Sequence, residues 1–147
     1  MEQHLSHLVY FSKRKSRDPD TLMNILEVAR RNNEILGITG ILFVQKNHYF
    51  QLMEGPRDIL SDRLRLIIND DRHSDLVLTL FEELNFRMFS DWKMAMVNDD
   101  NLEIDRIYKS YSAEISSPHG LSGAVIWEMV EKMANKTLRN AYEEEQL

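Results

Sequence analysis

Residues 38–54 read ITGILFVQKNHYFQLME and consist of two apolar runs separated by Lys46 and Asn47. Two β-rich runs joined by two polar residues are typical of a β-hairpin. The second run carries Gln51 in the middle of an otherwise apolar strand. A buried amide without a partner costs about 1 to 3 kcal/mol. Gln51 therefore needs either a backbone partner in the core or a polar ligand.

The segment before the hairpin predicts one strand and one helix. The stretch from Leu5 to Ser12 is a short apolar run, and a basic, polar loop follows it. Asp18 before Pro19 supplies an N-cap and a first-turn proline. Apolar residues then recur at helical spacing until Gly37 interrupts the pattern, so we expect the helix to end near Asn33.

The segment after the hairpin predicts a second helix and two more strands. Gly55 and Pro56 introduce the helix, and its apolar residues are expected to face inward: Leu60, Leu64, Ile67 and Ile68. The two strands are predicted over 76–84 and 92–97. The order β-α-β-β-α-β with an added strand predicts an α+β, ferredoxin-like sheet with both helices on one face.

The C-terminal part predicts two more helices. The predicted strands are apolar on both faces, so the second face of the sheet must also be covered. Apolar residues recur at helical spacing over 102–111 and 121–138. We expect these two helices to pack on the face opposite the first pair.

Composition limits the function classes. The 147 residues fit one domain, and the net charge of −6 disfavours nucleic acid or an anionic membrane as a partner. The chain has no cysteine, which excludes disulfides, thiolate metal sites and a cysteinyl–flavin adduct. The five histidines are scattered, so no metal site is expected. Without an apolar run of about 20 residues or a signal peptide, a cytoplasmic location is expected.

Polar residues interrupt the apolar rows at one end of the predicted helix–sheet space. Strand alternation puts Tyr10 and Gln51 on faces that the first helix can cover, and Asn32 and Asn33 continue the apolar row of that helix. The same alternation predicts one shared face for Trp92, Met94 and Met96. These residues have simpler interpretations too. Gln51 can be a core amide, the asparagines can be helix caps, and the others can be core filler.

Taken together, these segments resemble the BLUF domains, blue-light sensors that use FAD. The matching stretches occur in the family's order and spacing: LVYFS at 8–12, ILEVARRNNEILGITGIL at 25–42, YFQLMEG at 49–55, NDDRH at 69–73 and WKMAM at 92–96. The resemblance implies a flavin-binding photosensory domain over 1–97 and a C-terminal helical extension over 98–147. FAD is the implied cofactor, with FMN or riboflavin as alternatives.

The resemblance also implies roles for individual residues. Tyr10 and Gln51 would meet the polar edge of the isoalloxazine ring, and Gln51 would be the amide that switches its hydrogen bonds in light. The other implied contacts lie on the two helices: Asn33 with Asn32 beside it at the pyrimidine side, Ile25 and Ile67 against the ring faces, and Arg72 and His73 near the ribityl-phosphate side.

The implied output is a signal rather than a catalysed reaction. The resemblance places Trp92 and Met94 in a strand that passes the state of Gln51 to the C-terminal helices. A separate effector protein, or a change in a homo-oligomer, would then read the signal. The alternatives are an enzyme on the same fold, or a ferredoxin-like small-molecule- or RNA-binding module without photochemistry. The sequence contains none of the catalytic motifs that an enzyme would need, and its net charge of −6 disfavours the basic surface that an RNA-binding module would need.

Overall fold

The computed structural model describes residues 4–113, 115 and 117–146. Its strands form one mixed sheet: β1 (Leu5–Arg14), β2 (Thr39–Val44), β3 (His48–Pro56), β4 (His73–Glu83) and β5 (Ala95–Asn98). The strand order is β4-β1-β3-β2-β5, with β5 parallel to β2 and the other neighbours antiparallel. This confirms the predicted ferredoxin-like α+β arrangement with an added strand.

Four α-helices are present in the described residues: α1 (Pro19–Leu36), α2 (Arg57–Ile68), α3 (Leu102–Ser112) and α4 (Gly123–Gln146). The side chain of Asp18 accepts the backbone N–H of Asp20, as expected of an N-cap. The other end of α1 lies at Leu36 rather than near Asn33. Gly37 adopts the left-handed conformation (φ 72°) and donates its N–H to the carbonyl of Asn33, so Gly37 is the cap.

The two faces of the sheet carry separate cores. The face covered by α1 and α2, called here the α1/α2 face, includes the buried side chains of Leu8, Leu26, Leu42, Met53 and Leu60. The face covered by α3 and α4, the α3/α4 face, includes Val9, Phe11, Phe43, Phe50, Ile104, Met129 and Val130. Alternation along β1, β2 and β3 thus buries both faces of the central strands, as their continuous apolar runs predict.

Two expectations about these faces are wrong. Ile68 is 53% exposed, because it is the last residue of α2 and turns away from the sheet. Trp92 does not share a face with Met94 and Met96. It packs against the α3/α4 core and stacks on Phe89 with ring centroids 5.9 Å apart, whereas Met94 and Met96 pack on the α1/α2 side.

The fifth strand is shorter than predicted, since β5 begins at Ala95 and not at Trp92. The carbonyl of Trp92 accepts the N–H of Gly40, but the next two carbonyls bond to side chains of α1. Regular pairing with β2 begins only after Met94, the last of the residues whose carbonyls bond to α1. Among the described residues, no helix is long and apolar enough to cross a membrane.

Candidate functional site

A cavity lies between α1, α2 and the sheet, on the α1/α2 face. Its walls are formed by these residues: Tyr10, Ile25, Leu26, Val28, Ala29, Asn33, Leu42, Tyr49, Gln51, Met53, Arg63, Ile67, Asp70, Arg72, His73 and Met94. Apolar side chains from both helices face polar side chains from the strands and from the end of α2. Such a mixture of apolar walls and a few converging polar groups is typical of a small-molecule site.

Gln51 lines this cavity and uses both ends of its amide. Its Oε1 accepts a hydrogen bond from the hydroxyl of Tyr10, which is the residue directly opposite on β1. Its Nε2 donates to the sulfur of Met94 at 3.3 Å. Since the acceptor end meets a donor and the donor end meets an acceptor, the amide has one orientation that satisfies both neighbours.

Tyr10 is held as a neutral phenol. Burial raises the pKa of its hydroxyl far above the ordinary tyrosine value, and the negative charge of Asp70 and the neighbouring Tyr49 raise it further. The residue is 5% exposed. Throughout the physiological pH range its O–H therefore remains available to donate a hydrogen bond to Gln51.

The segment that carries Met94 is fixed by three consecutive backbone carbonyls. The carbonyl of Trp92 accepts from Gly40 N–H (2.9 Å), that of Lys93 from Asn33 Nδ2 (2.5 Å), and that of Met94 from Arg30 Nε (2.9 Å). Because Asn33 also lines the cavity, one amide links the cavity wall to the segment before β5. Asn33 and Met94 thus both connect the cavity to this segment.

The end of the cavity at the C-terminus of α2 carries charged and polar groups with defined partners. Arg72 forms a forked ion pair with Asp70, with Nε 2.9 Å from Oδ1. This pair lowers the pKa of the Asp70 carboxyl. His73 donates from Nε2 to the carbonyl of Ile67 (2.6 Å), and its Nδ1 bonds to the hydroxyl of Ser12 (2.7 Å). His73 therefore fixes the end of α2 against β1.

Most residues singled out from the sequence converge on this cavity. Those that line it are Tyr10, Ile25, Asn33, Gln51, Ile67, Arg72, His73 and Met94, whereas Asn32 and Trp92 are not among the lining residues. Met94, and not Trp92, contacts Gln51. Sequence reasoning missed Arg63 and Asp70. Arg63 had a usable signal, because it precedes Ile67 by four residues and so shares its side of α2.

The lining residues fit a flavin. Ile25 on α1 and Ile67 on α2 provide apolar walls on which a flat ring can lie, and the amides of Asn33 and Gln51 offer donors and acceptors to its polar edge. The buried Nε of Arg63 has no hydrogen-bond partner among the described residues. An unpaired buried donor in a cavity wall is suited to an anionic group of a ligand.

Comparison with known proteins gives one consistent result. The family model described as BLUF, sensors of blue-light using FAD, matches residues 5–95. The solved dark-state structure of BlrB, a BLUF protein, superposes with a TM-score of 0.67 at 32% identity, covering 75% of this chain and 88% of that one.

Two curated proteins are also similar. The blue light- and temperature-regulated antirepressor BluF of Escherichia coli (strain K12) is 33% identical over 93 residues, which are 63% of this chain and 23% of that protein. The photoactivated adenylate cyclase subunit beta of Euglena gracilis is 26% identical over 137 residues, 91% of this chain and 16% of that protein. The chain thus spans less than a quarter of the length of either relative.

Proposed function

Because the chain belongs to the BLUF family, whose members sense blue light with a flavin, we propose that it is a photoreceptor whose switch is the side chain of Gln51. The observation that carries this proposal is the paired contact of one amide, with Tyr10 at its oxygen and Met94 at its nitrogen. A single side chain thereby connects a redox-active phenol to the segment that carries Met94.

Tyr10 is the residue that starts the response. A bound flavin supplies, on absorbing blue light, an excited state that can oxidise a nearby phenol. Tyr10 is buried and protonated in the dark, with its proton directed at Gln51 Oε1. Transfer of an electron and this proton from Tyr10 to the flavin would remove the hydrogen bond that holds the amide in its dark orientation. The amide could then turn over before the electron and the proton return to Tyr10.

Gln51 converts this event into a change of contacts. When the amide turns over, its Nε2 faces the oxygen of Tyr10 and its Oε1 faces the sulfur of Met94. Oxygen and sulfur are both acceptors and form no hydrogen bond with each other, so the contact with Met94 is lost. The dark and lit states then differ in the position of Met94, which is the two-state element that a light signal requires.

The other cavity residues hold the cofactor in this proposal. Ile25 and Ile67 pack on the ring faces, and Asn33 bonds its pyrimidine side, with Asn32 next to it on α1. Arg72 and His73 fix the end of α2 beside the ribityl chain, which agrees with their bonds to Asp70 and Ile67. FAD is the proposed cofactor, and FMN or riboflavin fit the same ring contacts.

The output is proposed to pass through the C-terminal helices. Residues 1–97 form the photosensory unit, and 98–147 form an extension that reads the segment from Trp92 to Met94. Trp92 supports this route, since it packs with Phe89 in the core that α3 and α4 share. We propose a cytoplasmic, non-enzymatic sensor that controls a separate effector protein, or its own homo-oligomeric state, without nucleic acid or membrane as the direct target.

An absorption spectrum of the purified protein before and after blue light tests the function. We expect a flavin spectrum that shifts slightly to the red in light and returns in the dark. Release of the cofactor by denaturation, followed by chromatography against FAD, FMN and riboflavin, identifies the flavin. A colourless protein that takes up none of the three would contradict the proposal.

A further inference from the structure

We propose that Arg63 binds the phosphate of the flavin cofactor and makes the site prefer phosphorylated flavins to riboflavin. The inference rests on the proposed function, since it requires a flavin in the cavity between α1 and α2. It assigns to Arg63 the phosphate contact that the family resemblance implies for Arg72 and His73.

Arg63 has the position that such a contact needs. It lies one turn before Ile67 on α2, and both side chains line the cavity. Its Nε is buried and has no hydrogen-bond partner in the part of the chain that the structure describes. Arg65, two residues later, differs in each respect. Its side chain is 75% exposed, it is paired with Asp62, and it is not a lining residue.

The other basic groups at the cavity already have partners. Three contacts join the guanidinium of Arg72 to both oxygens of Asp70, so its charge is balanced within the protein. Both ring nitrogens of His73 are used, one by Ser12 and one by Ile67. Arg63 is therefore the lining cation whose buried donor remains available for an incoming anion.

The chemistry of the ligand fits this donor. A phosphate monoester carries about −1.5 to −2 charges at pH 7, and a guanidinium matches its geometry with parallel N–H donors. Riboflavin shares the ring and the ribityl chain of FMN but lacks the phosphate. A contact from Arg63 therefore strengthens the binding of FMN and FAD and leaves that of riboflavin nearly unchanged.

Dissociation constants for FMN and riboflavin, measured by quenching of flavin fluorescence on flavin-free protein, test the assignment. A hydrogen bond to a charged group contributes enough for about a tenfold preference for FMN in the wild type. We expect Arg63→Met to abolish the preference by weakening FMN binding, and Arg63→Lys to keep part of it. High salt should reduce the ratio of the riboflavin to the FMN dissociation constant in the wild type, since the contact is electrostatic.

Arg65→Met is the matched control and should keep the wild-type ratio. Equal affinities for FMN and riboflavin in the wild type, or an unchanged ratio in Arg63→Met, would overturn the assignment while leaving the photoreceptor function intact. Loss of riboflavin binding in Arg63→Met would also overturn it, because it would show a structural role. A wild-type protein that binds neither flavin would instead contradict the proposed function itself.

Discussion

The two faces of the central sheet are built from the same strands and differ in how completely they are filled. On the α3/α4 face, Phe11 and Phe50 pack with ring centroids 5.9 Å apart, and Phe50 also meets Tyr108 at 5.6 Å. On the α1/α2 face, the neighbouring residues Tyr10 and Gln51 line a cavity. Because side chains alternate along each strand, a residue that stabilises the fold stands next to a residue that lines the candidate site.

The difference has a physical cause. The α3/α4 face buries aromatic and aliphatic side chains, which gain by close packing alone. Tyr10 and Gln51 are polar, and each satisfies the other across β1 and β3. Substitutions on the α3/α4 face should therefore change the free energy of unfolding most. Substitutions on the α1/α2 face should change the response to light most.

The largest effect on stability is expected for Phe50→Ala. This side chain is fully buried, and its removal leaves a cavity that should lower the free energy of unfolding by about 3 to 5 kcal/mol. Denaturant titration of the flavin-bound protein measures the loss. At temperatures where the variant is folded, its light-induced shift should match the wild type. If the folded variant lost the light-induced shift, the α3/α4 face would also contribute to the response to light.

Met94→Ala should have the next largest effect, about 2 kcal/mol or somewhat more, because Met94 is 3% exposed. Gln51 would lose its sulfur partner but keep Tyr10, so the spectral shift should remain. The structural response to light should be lost. Hydrogen exchange of the C-terminal helices, compared in darkness and in light, should change in the wild type and stay constant in the variant. A wild-type change in hydrogen exchange on illumination of Met94→Ala would exclude Met94 as the relay.

Glu54→Gln tests a buried polar residue on the α3/α4 face and should lower the free energy of unfolding by about 1 to 3 kcal/mol. The carboxylate of Glu54 is 1% exposed and accepts from Thr39 Oγ1 and from the backbone N–H groups of Met88 and Phe89. It thereby fixes the connection between β4 and β5. Chemical denaturation of variant and wild type at one pH measures this cost.

The same variant has an expected pH dependence. Burial raises the pKa of Glu54, against the opposing effect of its hydrogen bonds. The folded protein then holds this proton more tightly than the unfolded chain, so the contribution of Glu54 is largest below the ordinary glutamate pKa of about 4.3. It falls as the pH rises through the raised pKa. A stability difference from Glu54→Gln that grows with pH in this window would contradict the assignment.

Tyr10→Phe should have the smallest effect on stability and the largest on function. It removes one buried hydrogen bond, worth about 1 kcal/mol. Phenylalanine has no hydroxyl proton, so the light-induced red shift should disappear while flavin remains bound. Light-minus-dark absorption and flavin affinity check both parts. A normal shift in this variant would remove Tyr10 from the mechanism.

The central strands, and the convergence of Tyr10 and Gln51 on one face of them, could be predicted from the sequence, because strand alternation fixes which side chains share a face. The end of the sheet could not. β5 begins at Ala95, directly after the two carbonyls of Lys93 and Met94 that accept side chains of Asn33 and Arg30. These bonds join residues 60 and 64 positions apart in the sequence, and no local pattern indicates them.

The most direct test of the account is the light-minus-dark absorption spectrum of Gln51→Leu beside the wild type. Leucine keeps the approximate size of the side chain and removes both ends of the amide, so the cavity should still hold the flavin. The account predicts a flavin-bound variant with no reversible red shift. A variant that binds flavin and shows the wild-type shift would contradict the claim that Gln51 is the switch.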